Sequence, residues 1–311
     1  MLYRYLLTRL GEVLLSLWGA MTIVFIAARM LGDPVIMMLP MGASPADIEL
    51  MRKTLRLDDP LIVQYLQFMW NAARGDFGVS FQFQRPAMDL VLERLPATIL
   101  LAVSALVIGI VVGGTLGFVA ARWRGTILAP IATVLALLGQ ATPVFWLGII
   151  LILAFSTSLG WLPSGGTGSL SHLILPSITL ATFTAASVMR LLRSSMIEVV
   201  SEDFVRTAWS KGLKPRAVYV WHVMRNALLP VVTMVGILAG ELLGGAVITE
   251  TVFAWPGVGR LVMQGIETKD FAVVQAAAAT IAAIYIFVNF IVDLLYLLID
   301  PRIRLTRMGR A

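Results

Sequence analysis

Membrane-length apolar runs alternate with short polar segments along most of the chain. The first run, Leu10 to Ala28, follows Arg4 and Arg9 and is too long for a signal-peptide core, so it predicts a retained first span. The second, Ala97 to Ala121, carries no charge and ends at Arg122 and Arg124. No Asp, Glu, Lys or Arg occurs from Gly125 to Met189, and the turn-rich run Pro163 to Ser169 divides that stretch. The part before it, Thr126 to Leu162, is too long for one straight span, and Pro143 is the expected bend. Leu173 to Met189, Ala227 to Ile248 and Phe271 to Ile299 supply the remaining runs.

Charge sets the topology. Basic clusters at Arg122/Arg124, Arg190 to Arg225 and Arg302 to Arg310 belong on the cytoplasmic side. An even number of crossings must separate the first two, so Thr126 to Leu162 counts as one tilted or kinked span. The expected fold is an all-α integral membrane protein of six transmembrane helices with both termini cytoplasmic. Its parts are an N-terminal helix (1–30), an extracytoplasmic helical subdomain (31–96), a five-helix core (97–301) and a basic cytoplasmic tail (302–311). Within the subdomain, Ser44-Pro45 and Asp59-Pro60 start helices running to about Leu55 and Ala73. The second should present Leu61, Tyr65, Phe68 and Met69 on one face.

The polar stretch Ser201 to Pro230 interrupts the second half of the chain. Ser201 is an N-cap residue, Glu202 and Asp203 put negative charge where a helix dipole favours it, and Gly212 is a stop. Phe204, Val205, Ala208 and Trp209 form one apolar face, with Arg206 and Lys211 off it and Thr207 between them in sequence. A short amphipathic helix at 201–212 must bury that face against lipid headgroups or another protein.

Glycines recur every four residues in two spans: Gly109, Gly113 and Gly117, then Gly236, Gly240 and Gly244. Such stripes let a neighbouring helix approach, or leave bare backbone along a path for substrate. Glu241 and Asp293 lie at membrane depth, where charge is expensive. Glu241 shares a face with Ile237, Gly244 and Ile248, and either contacts a substrate amine or bonds a neighbouring helix as a neutral acid. Asp293, close to the cytoplasmic end, is expected to bond another helix through Asn289. Gln140 beside Pro143 either satisfies backbone groups freed at the bend or lines a path.

Composition removes other classes. The chain is 59% hydrophobic and 14% charged, too apolar for a soluble domain. Its net charge of +6 falls in clusters beside apolar runs, a topology signal that gives no reason to invoke nucleic acid. With no cysteine and only His172 and His222, thiol chemistry is excluded and no metal site is expected. The chain contains no Gly-x-x-x-x-Gly-Lys-Ser/Thr loop, His-Glu-x-x-His or Gly-x-Ser-x-Gly, so no nucleotide site or catalytic constellation is expected. A secondary transporter using Glu241 or Asp293 as an ion site, a channel, and a non-transport receptor using residues 31–96 remain as alternatives.

The stretch Glu202 to Pro230 resembles the cytoplasmic loop of ABC importer permease subunits. Arg206-Thr207-Ala208 and Gly212 occupy the first part of the family's EAA pattern, and Leu228-Leu229-Pro230 the last. Arg206 stands where the pattern has glutamate and the gap to Pro230 is long, as in the dipeptide/oligopeptide (peptide/nickel) branch. Further matching pieces run the length of the chain, among them Arg74 to Ser80, Glu93 to Thr98, Phe145 to Gly148, Leu159 to Pro163, Glu250 to Arg260 and Asp300 to Arg304. The resemblance is to the first permease of the pair. It implies a multi-pass subunit of a bacterial inner-membrane importer for short peptides or similar small nutrients. It implies a heterodimer with a homologous second permease, an extracytoplasmic binding protein, and two cytoplasmic ATPase subunits that carry ATP and Mg. Under that resemblance 201–212 is the coupling helix. Gln140, Gly236, Gly240, Glu241 and Gly244 are candidates for the path, and Trp255, Pro256 and Gly257 for binding-protein contact.

Overall fold

The computed structural model describes residues 2–30, 35, 44–54 and 56–299, with side chains left out at 2–6, 245 and 293–299. In order come α1 (Leu2–Met30), α2 (Pro45–Thr54), α3 (Leu61–Ala73) and α4 (Ala87–Arg122). Then follow α5 (Leu128–Ala141), α6 (Val144–Leu151), a π-helix π1 (Ile152–Ser158) and α7 (Ser171–Val200). The last part holds α8 (Asp203–Ser210), the single turn α9 (Pro215–Ala217), π2 (Val218–Met224), α10 (Arg225–Val252), α11 (Val258–Thr268) and α12 (Phe271–Ile299). Among the described residues the only β pairing is an isolated bridge between Val79 and Pro86. Helix is what a chain in hydrocarbon must form, because it satisfies every backbone polar group within the segment.

Five helices are long and apolar enough to cross a membrane, and the bent pair Leu128–Ala141 and Val144–Ser158 makes a sixth span if counted as one. The expected bend at Pro143 is there, but at 106° it is a break rather than a tilt. Thr142 is pushed into extended backbone (φ −80°, ψ 124°) by the proline that follows it. Gln140 does not mend the break: the Thr142 hydroxyl donates to the Leu138 carbonyl at 2.6 Å instead.

Other boundaries also shift. α4 begins at Ala87, well before the expected Ala97, and runs through Pro96 for 36 residues, about 54 Å at 1.5 Å per residue. α7 continues from the membrane run to Val200. The helix leading into the fifth span starts at Pro215, ahead of the expected Ala227. In each case the helix extends beyond the apolar run that announces it.

The chain packs as two compact units. One comprises residues 1–98 and 256–290, the other 99–255 and 291–311. In the first, Ala87, Leu90 and Val91 of α4 pack with Val258 and Leu261 of α11 and with Val273, Ala276 and Ala277 of α12. The buried Asp270 accepts from the Ser80 hydroxyl at 2.5 Å and from the Val273 N–H at 3.3 Å, tying the loop before α4 to the start of α12. α3 meets α1 through Phe25, which contacts Tyr65 edge-on and Phe68 at a tilt, at 5.2 and 5.4 Å between ring centres. Leu61, expected on that face, is instead exposed.

In the second unit α7 is the central post, with its Leu175–Met196 stretch largely buried. The first glycine stripe packs against it. A Cβ on Gly109, Gly113 or Gly117 would lie 2.6 Å from Thr184 Cγ2, 2.4 Å from the Ala185 carbonyl oxygen and 2.9 Å from the Met189 carbonyl oxygen. Two of those neighbours are backbone and cannot rotate away. A Cβ on Gly114 would meet nothing within 4 Å. Gly113→Ala is therefore expected to destabilise the protein by roughly 1–3 kcal/mol, while Gly114→Ala has no such cost. Thermal unfolding of the two variants in detergent checks this, and equal midpoints would contradict the packing role.

Candidate functional site: the cytoplasmic helix and the face of α10

α8 forms within the expected 201–212 segment, but its start differs. Ser201 closes α7, its hydroxyl donating to the Glu198 carbonyl at 2.6 Å, and Glu202 takes the N-cap position without a side-chain cap. Asp203 supplies the favourable charge in the first turn. Gly212 ends the helix at φ +74°, a left-handed conformation that glycine adopts without strain.

The apolar face divides in two. Val205 and Ala208 are buried at 0% and 4% exposure, in a core with Val188, Leu192 and Met196 of α7, Val218 and Val223 of π2, and Ala227 and Val231 of α10. Phe204 and Trp209 stand as shoulders, 43% and 41% exposed. The expectation that the whole face is buried against lipid headgroups or another protein is corrected here: Val205 and Ala208 seat the helix in its own bundle, and Phe204 and Trp209 are the two left exposed. Burying Val205 alone stabilises that seat by about 1.5–3 kcal/mol. The outward side carries Asp203, Arg206, Thr207, Ser210 and Lys211, all exposed. Arg206 pairs with Asp203 at 3.4 Å, a surface contact with little energetic weight.

A second link runs sideways from the helix. Trp209 meets the Tyr219 ring edge-on at 6.4 Å, and the Arg122 guanidinium lies over the other contact surface of that ring, 4.6 Å from its centre. Tyr219 belongs to π2, whose i→i+5 hydrogen bonding is rare and concentrates at functional positions. Trp209, Tyr219 and Arg122 thus form a chain from α8 to the cytoplasmic end of α4. Nothing in the periodicity marks it, because its members come from three separate segments.

Farther along the span, Glu241 lies on a strip of α10 left uncovered by the other described residues. Ile237 and Ile248 are 47% and 50% exposed, and Glu241 and Gly244 are exposed between them. The Glu241 carboxylate makes no hydrogen bond or ion pair among the described residues. The neighbouring-helix bond considered from sequence is therefore absent among the described residues. Gly236 and Gly240 do not share the strip. Gly240 is buried, and a Cβ on Gly236 would come 2.5 Å from Val292. Gln140 is half-buried and without a hydrogen bond among the described residues. The side chain of Asp293 lies outside the described residues, and Asn289 donates to the Tyr285 carbonyl at 3.0 Å.

Trp255 also departs from expectation. It is 5% exposed, its N–H donates to the Glu250 carbonyl at 2.8 Å, and Gly257 is buried. Only the half-buried Pro256 of that trio reaches the surface. Nearby, Phe253 organises the outer end of the second unit. Its carbonyl accepts from the Gly166 N–H at 2.8 Å, and its ring sits where a Cβ on Gly148 would be 3.1 Å away. His172 accepts from the Ser169 backbone and is paired with its hydroxyl, so it caps a turn; among the described residues no cluster of metal-binding side chains occurs.

A bundle of membrane-length helices that seats an amphipathic helix and leaves a strip with a lone carboxylate exposed suits a subunit of a membrane transporter. Residues 113–305 match the family described as binding-protein-dependent transport system inner membrane component, and residues 1–102 match the N-terminal component of such systems. The chain belongs to this family and is a permease subunit of an ABC importer in the bacterial inner membrane. It is 40% identical over 301 residues to the glutathione transport system permease protein GsiC of Escherichia coli K12, covering 96% of this chain and 98% of that one. The corresponding protein of Shigella flexneri is equally similar. Among solved structures, the inward-facing MetNI methionine ABC transporter aligns with TM-score 0.56 at 17% identity, over 68% of this chain and 97% of that one. An amino acid ABC transporter with histidines aligns at 0.54 and 17%, over 67% and 92%. These two likenesses concern the fold. Membership of the family entails ATPase and binding-protein partners.

The divided face of α8 separates two kinds of substitution. Ala208→Asp would bury an unpaired carboxylate and is expected to cost roughly 3–5 kcal/mol, releasing the helix from its seat. Thr207→Asp, exposed, should leave the seat intact. Limited proteolysis between Ser201 and Lys214 reads the difference, and equal resistance of the two variants would refute the assignment of the buried face.

Proposed function

We propose that this chain is one of two homologous permeases in a heterodimeric importer of short peptides or peptide-like compounds such as glutathione, and that α8 is its coupling helix. The carrying observation is the division of α8. The inward side is locked to α7, π2 and α10, so the helix moves with the bundle, while the outward side offers Arg206, Thr207, Lys211 and the Phe204 and Trp209 shoulders to a groove. ATP and Mg are assigned to two ATPase subunits, whose closure would push on that outward side. The Trp209–Tyr219–Arg122 chain then passes the displacement to α4, and the bundle alternates between outward and inward openings.

The exposed strip of α10 is assigned to the translocation path at the junction with the second permease. Glu241 has no partner within the described chain, and a carboxylate in lipid needs one. A peptide's ammonium group supplies it during passage. External contact with the binding protein is assigned to the extracytoplasmic segment 31–96 and to Pro256, rather than to the inward-packed Trp255.

Three measurements test this reading. Phe204→Asp combined with Arg206→Glu should lower recovery of the ATPase subunits on purification of the assembled transporter, with helix content unchanged; undiminished recovery would remove α8 from the interface. Glu241→Gln should raise KM for glutathione or a dipeptide roughly tenfold, the scale of one charge-assisted hydrogen bond. The same KM in both proteins would clear Glu241 of substrate contact. Tyr219→Leu should let ATP hydrolysis proceed with less substrate moved per ATP, and Tyr219→Phe, which keeps the ring, should restore the ratio. Native coupling in the leucine variant would sink the relay.

A further inference from the structure

The first unit contains a cavity of about 370 Å³, away from both α8 and the exposed strip of α10. Its walls come from the last turns of α1, the turn at Arg56, one face of α3, the loop at Asp76 to Val79 and the first turn of α12. At about 30 Å³ per water molecule it holds roughly a dozen waters' worth of space, enough for a glycerophosphate group. Two guanidiniums, Arg29 and Arg56, line it against one carboxylate, Asp76. Asp76 is already engaged, accepting from the Gly78 N–H at 2.9 Å.

Arg29 is held rigidly. Its guanidinium lies 3.5 Å from the centre of the Phe25 ring and donates to the Gln64 side-chain carbonyl, and the Gln64 amide is fixed in turn by the carbonyls of Leu57 and Asp59. The other donors are uncommitted. Among the described residues, the side chains of Arg56, Gln67, Asn71 and Gln275 make no hydrogen bond or ion pair, and all four border the cavity. A fixed cation, an uncommitted cation and three uncommitted amides bordering one space suit a tetrahedral oxyanion. The aromatic floor of Phe25, Phe68 and Phe77, with ring centres 5.4 and 6.3 Å apart in succession, suits the less polar glycerol end of such a group.

The level of the cavity names the source. Arg29 is one residue from the end of the first span and Phe271 begins the last, and the charge topology puts both ends on the outer side. That is the headgroup layer of the outer leaflet. We propose that this cavity is a binding site for the phosphate headgroup of an anionic phospholipid. The assignment uses no residue of α8 or α10, and it shares with the import reading only the segment 31–96, part of which forms the cavity wall.

The test uses the full chain in detergent, with bound lipid read by native mass spectrometry and helix content by circular dichroism. Phosphatidylglycerol should be retained and phosphatidylcholine of the same acyl chains should not. Arg56→Gln and, separately, Asn71→Leu should weaken phosphatidylglycerol retention, the first roughly tenfold, at unchanged helix content. Unaltered retention in both variants, or equal retention of the two lipids, overturns the site. Displacement of the lipid by an equal concentration of sn-glycerol 3-phosphate would assign the cavity to a soluble phosphate instead, and displacement by a tripeptide would assign it to substrate; either result overturns the lipid assignment.

Discussion

Bare backbone sets the geometry of the second unit. Where Gly113 faces Ala185, and Gly117 faces Met189, two helices touch main chain to main chain, with no side chain to act as a cushion. In lipid there is no water to expel between helices, so this close dispersion contact is a main source of cohesion. α7 can be a central post only because α4 comes this near. The core that holds Val205 and Ala208 is built on the cytoplasmic end of the same post.

That arrangement accounts for a permease that works as a lever. A coupling helix attached by flexible loops would absorb a push from below. In the proposed coupling role, the seat formed by α7, π2 and α10 would turn the push into movement of the bundle. The two π segments, π1 and π2, continue without a break from the short α-helical stretches that begin after Pro143 and at Pro215. The Tyr219 ring sits in one of these segments, between Trp209 and Arg122, where a small change in helix pitch would be felt by α4.

Much of this was legible in the chain. Apolar run length and basic clusters located the spans, because lipid demands both. The family pieces from Arg74 to Arg304 located the class. What escaped were features made by residues distant in sequence. Whether an apolar residue of a short helix faces its own bundle or a partner depends on where α7 and π2 arrive, so Val205 could not be separated from Phe204 by periodicity. Ser201 was read as a start because its hydroxyl can cap a helix, yet it bonds backward to Glu198. The resemblance assigns Trp255 to the binding protein, but a matching motif does not say which way an indole points, and here it packs inward. Pro96 looked like a boundary, and α4 passes through it. The two glycine stripes read alike, and only tertiary packing separates the first, pressed on α7, from the second, which is divided between Val292 and open space.

The division of α8 also bears on how such a subunit changes over time. Residues that hold the helix in place and residues that face outward are different residues. Substitutions at Arg206, Thr207, Ser210 or Lys211 touch no core, and exposed positions of this kind usually change stability by no more than about 0.5 kcal/mol. The outward face is therefore free to drift toward a new ATPase groove while the bundle stays folded. A lineage can exchange its motor without rebuilding its membrane domain, and duplicated transporters in one cell can diverge to separate motors by altering a single turn of helix.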